Sequence, residues 1–167
     1  MRIVERLTAP IVLLALALVM PVAAQGQSAS ELHGGWTIRD WQAPEGQTGA
    51  VPQRGLFVFT ESGHYSIMYV IGEPREALGE DPSDAAIAAA YGPFIANSGR
   101  YSVSGDEITY EAFVAKDPAY MSRFEPTGGE GNAQTIRFSV EDGTLTLSFG
   151  EGGPMGGAQA TLRRPGT

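Results

Sequence analysis

An all-β domain of about eight antiparallel strands with one short helix is the fold class the sequence predicts. Two observations carry that prediction. Short runs of alternating or continuous apolar residues recur along the chain, and three of the links between them are brief and glycine-bearing: Glu61-Ser62-Gly63, Ser104-Gly105-Asp106 and Glu141-Asp142-Gly143. Glycine supplies the positive-φ position that a tight hairpin needs. A third observation limits the alternatives. There is no internal repeat, no heptad and no long low-complexity stretch.

Residues 1–24 read as a secretory signal peptide. Arg2 and Arg6 make a basic start, Ala9 to Val19 an apolar run, and Val22-Ala23-Ala24 a small-residue cleavage site before Gln25. The apolar run is about half the ~20 residues a membrane-spanning helix needs. No stable membrane insertion is therefore expected after cleavage, and the expected location is periplasmic or secreted. Removing Arg2, Arg6 and Glu5 from 11 basic and 19 acidic side chains leaves 9 and 18, a net charge of −9. Such a charge repels phosphates, so nucleic acid is not an expected partner. The chain has no cysteine, which excludes disulfides and thiolate chemistry. Its core alone must hold it together.

The elements follow in order. Residues 25–33 form a small polar stretch, expected as a flexible arm. The barrel or sandwich would occupy 34–164, leaving 165–167 as a tail. Predicted strands are Thr37–Gln42, Gly55–Thr60, His64–Ile71, Gly99–Val103, Glu107–Ala115, Gln134–Val140, Thr144–Phe149 and Ala158–Arg163. The segment from Glu80 to Pro93 breaks the pattern. Asp81 is the expected N-cap, Pro82 the first helical position, and Gly92-Pro93 the stop. A helix this short is unstable alone and must pack on something. Eight such strands fit either a sandwich or an up-and-down barrel. Large residues occupy both parities, with Leu56 and Val58 against Phe57 and Phe59, so period two does not reveal the inner face.

Gly34-Gly35-Trp36 then matches the Gly-x-Trp signature that opens the first strand of lipocalins. The stretches "GLFVFTESGHYSIMYV", "SGRYSVSGDEITYEAFVAKDPAY" and "IRFSVEDGTLTLSF" resemble the bacterial lipocalin-like domain family in their order and turn chemistry. Gly55, Gly63, Gly99, Tyr101, Pro118 and Arg137 match the family pattern. The resemblance runs from about Gly34 to Arg163 and implies an eight-stranded antiparallel up-and-down barrel of the calycin type. It also implies that an arginine of the last strand covers the Trp36 ring and closes the base. Arg163 or Arg164 could do this, and Arg163 is the assigned partner. Gly34, Trp36 and Arg163 are thus expected as structural closure, with the short helix capping the other mouth. Where the family often carries a histidine pair, this chain has Tyr110-Glu111. Tyr120 stands where the family tends to have tryptophan.

Candidate sites divide sharply. His33 and His64 are far apart in sequence and lack cysteine neighbours, so neither a metal nor a cofactor is expected. Glu73, Glu76, Glu80, Asp81 and Asp84 lack the spacing of a calcium loop and read as a solvated acidic segment. The glycine-rich Gly150–Gly157 has no Gly-Lys-Ser/Thr ending and reads as a loop. Tyrosine gives an apolar wall with a hydrogen-bonding tip, which suits an amphipathic ligand. Tyr69, Tyr101, Tyr110 and Tyr120 are the candidate ligand-binding tyrosines, and Glu111 and Arg137 the charged strand residues suspected of facing inward. No catalytic residue is assigned. The expected function is binding of a small hydrophobic or amphipathic molecule. A lipocalin-like enzyme using lumen Tyr and Glu is the first alternative, but adjacent Tyr110 and Glu111 face opposite sides of a regular strand. A loop-mediated interaction or inhibitor module, acting through 43–54, 72–82 or 125–133, is the second.

Overall fold

A computed structural model describes residues 27–44, 46–47, 49–121, 133–150 and 156–166. The expected signal peptide, much of the loop at 125–133 and part of the Gly150–Gly157 loop lie outside the described residues. Eight strands close into an antiparallel barrel in sequence order: β1 (Gly34–Gln42), β2 (Pro52–Phe59), β3 (His64–Ile71), β4 (Phe94–Ser104), β5 (Glu107–Ala115), β6 (Gln134–Glu141), β7 (Thr144–Phe149) and β8 (Gln159–Arg163). β8 pairs back onto β1, so no sheet edge is left open.

The turns explain the closure. Asp142 and Gly143 both have positive φ, 48° and 72°, and Glu141 pairs directly with Thr144. That is the mirror-image two-residue turn whose twist matches antiparallel strands. Gly63 (φ 77°) and Gly105 (φ 62°) serve the other two predicted hairpins. These three turns and the start of β1 define the base of the barrel. The mouth lies at the opposite end, where β3 passes to β4 through the helix.

The inner face is now clear. Phe57, Phe59, Tyr65, Ile67, Tyr69, Tyr101, Ile108, Ile136, Phe138, Leu145, Leu147, Ala160 and Leu162 form the core, while Met68 and Val114 face out. Besides a register shift in β2 between Pro52 and Arg54, two irregularities shift strand parity. One in β1, between Ile38 and Asp40, turns Ile38 and Trp41 to the same side although their spacing is odd. Both tryptophans therefore point inward, Trp36 at the base and Trp41 near the mouth. The other lies opposite Ser98 and Gly99, where Phe113 is the extra residue of β5.

The base is built differently from the sequence expectation in two respects. First, the residues from Gln27 to His33 are not a free arm. Ser28 caps a one-turn helix, α1 (Ala29–Leu32), through a capping box with Glu31. Leu32 is fully buried, its carbonyl accepts a 2.7 Å bond from Trp36 Nε1, and Gln27 Oε1 accepts from Val140 N. Second, the cation over Trp36 is Arg164, not Arg163. Its guanidinium carbon lies 4.3 Å from the ring centroid, and its nitrogens donate to the carbonyls of His33 and Glu31 at 2.7 and 3.2 Å. Strand alternation is the reason: Leu162 points inward, so Arg163 points out to solvent and Arg164 returns beneath the base. Gly34 allows this approach, since a Cβ there would lie 2.6 Å from Arg164 Nη1. Arg164→Ala should lower unfolding free energy by about 1–3 kcal/mol in urea denaturation, and Arg163→Ala by less than about 0.5 kcal/mol. Equal losses would contradict the assignment.

The second helix, α2, spans Asp84–Tyr91. Its N-cap is Ser83, whose hydroxyl accepts from Ala86 N, rather than Asp81. The helix thus starts two residues later than Pro82 would have it. Gly92 closes it as expected. None of its side chains is buried, and Ile87 and Tyr91 are exposed.

Candidate functional site

Inside the mouth half of the barrel is a cavity of about 360 Å³, walled by residues of six consecutive strands, β2 to β7. Phe57, Ile67, Tyr69, Ile71, Ile95 and Phe149 make an apolar wall, and Asn97, Tyr110 and Gln134 add polar groups. Lys116, Asp117 and Tyr120 contribute at the rim. Two larger hollows, about 580 and 710 Å³, lie outside the barrel between the 72–82 segment and α2. Their walls include exposed charged residues such as Glu73, Arg75 and Glu76. The lumen is the better candidate because it is smaller but walled by strands.

The chain builds this wall locally. Gly55 faces inward from β2, where a Cβ would lie 2.7 Å from Tyr69 Cβ and from Ile38 Cδ1. Its missing side chain lets Tyr69 stack on Phe57, with centroids 6.3 Å apart and planes at 6°. Trp41 packs on Tyr69 and Phe149 at 6.1 and 5.2 Å. Tyr110 meets Tyr65 edge to face at 5.4 Å. Beyond β5, Asp117 caps the 3₁₀ turn Pro118–Tyr120 by accepting from Ala119 N, and Met121 then bridges back to Ala112. That turn carries Tyr120 to the rim.

Of the sequence-predicted residues, Tyr69, Tyr110 and Tyr120 line the cavity. Tyr101 faces inward but sits at the base, where its ring packs edge-on against Phe59 and its hydroxyl donates to the Thr60 carbonyl. It fastens the β2–β3 turn and is no part of the cavity wall. Glu111 and Arg137 both face out. Glu111 pairs with Arg100 at 2.7 Å across β4 and β5, and Arg137 lies 3.7 Å from Glu107 across β5 and β6. Direct cross-strand register puts these opposite charges side by side on the solvent face. Nor does α2 cap the cavity, since none of its residues lines it.

Asn97 was missed by the sequence because Asn97-Ser98-Gly99 carries turn chemistry, and the predicted strand began only at Gly99. β4 in fact begins at Phe94, held by pairing with β3 from Val70 to His64. Inward parity then runs through Ile95, Asn97, Gly99, Tyr101 and Val103. The Asn97 Oδ1 is buried and accepts no hydrogen bond among the described residues, and the Tyr65 hydroxyl is likewise buried and unpartnered. Such groups usually find partners, and leaving one without costs about 1–3 kcal/mol.

The electrostatics are those of a neutral chamber. No charged side chain is buried among the described residues. The Lys116 ammonium donates to the Gly92 carbonyl at the rim. Burial, and then the neighbouring phenols Tyr110 and Tyr120, push the Tyr69 hydroxyl well above the ordinary tyrosine range. Burial followed by Tyr120 pushes Tyr110 up to about 12. Burial and then Asp117 raise Tyr120. At neutral pH these phenols hold their protons, so they can donate hydrogen bonds but not act as bases. The bulge in β5 falls after Glu111 and leaves Tyr110 in and Glu111 out, so the two do not meet in one lumen. No group of three or more potential metal ligands occurs among the described residues.

The barrel is similar to that of a lipocalin-like protein from Bacteroides uniformis. The two share 19% identity over 80% of this chain and 98% of that one, with a TM-score of 0.43. An uncharacterized protein from Bacteroides eggerthii shares 13% identity over 80% of this chain and 98% of its own, at a TM-score of 0.42. A mutant of the fluorescent protein UnaG shares 15% over 84% of this chain and 100% of that one, at 0.35. No protein-family model matches the chain, and no curated protein does. The architecture itself, eight antiparallel strands closed in sequence order, is lipocalin-like.

Proposed function

We propose that this chain is a periplasmic or secreted binding protein that takes a small, largely apolar molecule into its barrel lumen. The observation that carries the reading is the cavity: about 360 Å³, apolar-walled, with a few convergent polar groups. Pockets that enclose small ligands begin at about 300 Å³ and share this mix. The barrel base is packed by Trp36, Leu32 and Arg164, so entry is from the mouth. The basic start, apolar run and small-residue cleavage site of residues 1–24 support export. The outward position of Glu111 removes the acid–base pair on which the enzymatic alternative rested.

The test is titration of the chain secreted and processed by a bacterial host with N-phenyl-1-naphthylamine, a neutral dye that brightens in apolar surroundings. A saturable one-to-one enhancement is expected. Ala115→Phe places a ring in the cavity wall and should weaken binding about tenfold or more while thermal stability stays near that of the parent. No enhancement with the parent, or identical binding by Ala115→Phe, would defeat the proposal. The mass of the same preparation should correspond to residues 25–167.

A further inference from the structure

Resting on the lumen as the ligand site, we infer that it selects an uncharged, flat aromatic molecule bearing an O–H or N–H donor, which Asn97 Oδ1 receives. The geometry of the wall gives each part of that description. Phe57, Tyr69, Tyr110 and Phe149 line the cavity, and ring pairs here already sit at 5.2–6.3 Å, the spacing at which aromatic faces and edges attract. A flat ring system extends that packing, whereas a flexible chain would lose rotamer freedom against it.

The charge of the ligand follows from what the lumen lacks. Four charges of the strands around the cavity are turned outward into pairs, Arg100 with Glu111 and Arg137 with Glu107. The cations and anions on the cavity wall are Lys116 and Asp117, both exposed at the rim. Lys116 is engaged by the Gly92 carbonyl and Asp117 by its own 3₁₀ turn. A carboxylate or ammonium inside would leave water without a partner. A fatty-acid anion is therefore a poor fit.

The donor requirement comes from Asn97. Its side chain sits on the inward parity of β4 opposite Ile67, within the cavity wall, and its Oδ1 is buried with no donor among the described residues. An amide oxygen accepts only, so its complement is a ligand O–H or N–H. The Tyr65 hydroxyl, one inward position beyond Ile67 on β3, is also buried without a partner among the described residues, although Tyr65 is not part of the cavity wall. Among the polar groups of the wall, which also include Tyr69, Tyr110, Tyr120 and Gln134, the Asn97 oxygen is the buried one left without a donor, and the ligand's polar end belongs beside it.

Three probes of one ring system separate these terms: 2-naphthol, 2-methylnaphthalene and 2-naphthoate, competed against N-phenyl-1-naphthylamine at pH 7. The expected order is 2-naphthol tighter than 2-methylnaphthalene by about tenfold, and 2-naphthoate weaker than both. Asn97→Leu should erase the hydroxyl preference while 2-methylnaphthalene still binds, which also shows that the variant is folded. If the parent binds 2-naphthol and 2-methylnaphthalene equally, or prefers the naphthoate, the selectivity inference falls and lumen binding stands. A hydroxyl preference that survives in Asn97→Leu overturns the assignment to Asn97. Failure of all three probes and the dye to bind the parent would overturn lumen binding itself.

Discussion

Replacing Gly99 with alanine is expected to lower the unfolding free energy by more than about 4 kcal/mol, a size reserved for a few severe mechanisms. Gly99 has ordinary φ, so the reason is space and not backbone conformation. It lies on β4 where β5 bulges: Gly99 pairs with Ala112, Ser98 pairs with Val114, and Phe113 is extra. A Cβ on Gly99 would sit 1.8 Å from the Glu111 carbonyl oxygen and 2.8 Å from its carbon. Both are backbone atoms in the middle of a paired strand, so no side chain can swing away. Relief would require β4 and β5 to separate, and these strands also carry Asn97, Tyr101 and Tyr110. Against a total stability of about 5–15 kcal/mol for a domain of this kind, the loss takes much of the margin. Gly79→Ala is the control, because a Cβ there meets nothing within 4 Å. Urea unfolding should place Gly79→Ala within about 0.5 kcal/mol of the parent. A Gly99→Ala protein within about 1 kcal/mol of the parent would show that the bulge yields easily and that β4 and β5 are not held together there as closely as the pairing implies.

The same bulge shows where the sequence stops being informative. Strand existence and hairpin turns were legible because Asp142-Gly143, Gly105 and Gly63 are local chemistry: the residue that tolerates positive φ sits where the chain reverses. Barrel closure was legible through Gly34-Gly35-Trp36. Side-chain direction was not. Apolar residues occupy both parities of β2 and β3, and the irregularities near Arg39 and Phe113 each shift the parity within a strand. Those shifts arise from tertiary pairing and leave no local pattern. Arg163 and Arg164 illustrate the consequence, since one step along the chain separates a solvent-facing side chain from the one over Trp36. Glu111 and Arg137, the charged strand residues suspected of facing inward, face out. Their partners Arg100 and Glu107 stand directly across the ladder, a register that only the fold reveals. Asn97 was hidden for the opposite reason: its neighbours look like a turn, and pairing with β3 overrides them. Tyrosine chemistry was readable by residue type, yet Tyr101 serves the base and Tyr69, Tyr110 and Tyr120 the cavity, a division set by position along the barrel axis.

Trp36→Ala should cost about 3–5 kcal/mol in the same denaturation experiment, the range for truncating a large buried aromatic. Trp36 is fully buried, and three elements converge on it. Its Nε1–H donates to Leu32 in α1, the Arg164 guanidinium lies over its ring, and its backbone pairs with Phe57 in β2. Removing the ring leaves the Leu32 carbonyl without its donor and Arg164 without its aromatic face, so α1 and the end of β8 lose their common anchor. Trp36→Phe separates the contributions. It keeps an aromatic surface and loses the N–H bond, and should fall by about 1–2 kcal/mol. Because Trp36 is absent from the cavity wall, dye affinity should persist in either variant under conditions where it remains folded. Loss of N-phenyl-1-naphthylamine binding by Trp36→Ala with unfolding midpoint unchanged would reverse the argument, making Trp36 part of the binding site. The predicted pattern, a large fall in stability with binding retained, follows from a barrel whose two ends do different things: the base is packed by α1, Trp36 and Arg164, and the mouth half is left hollow.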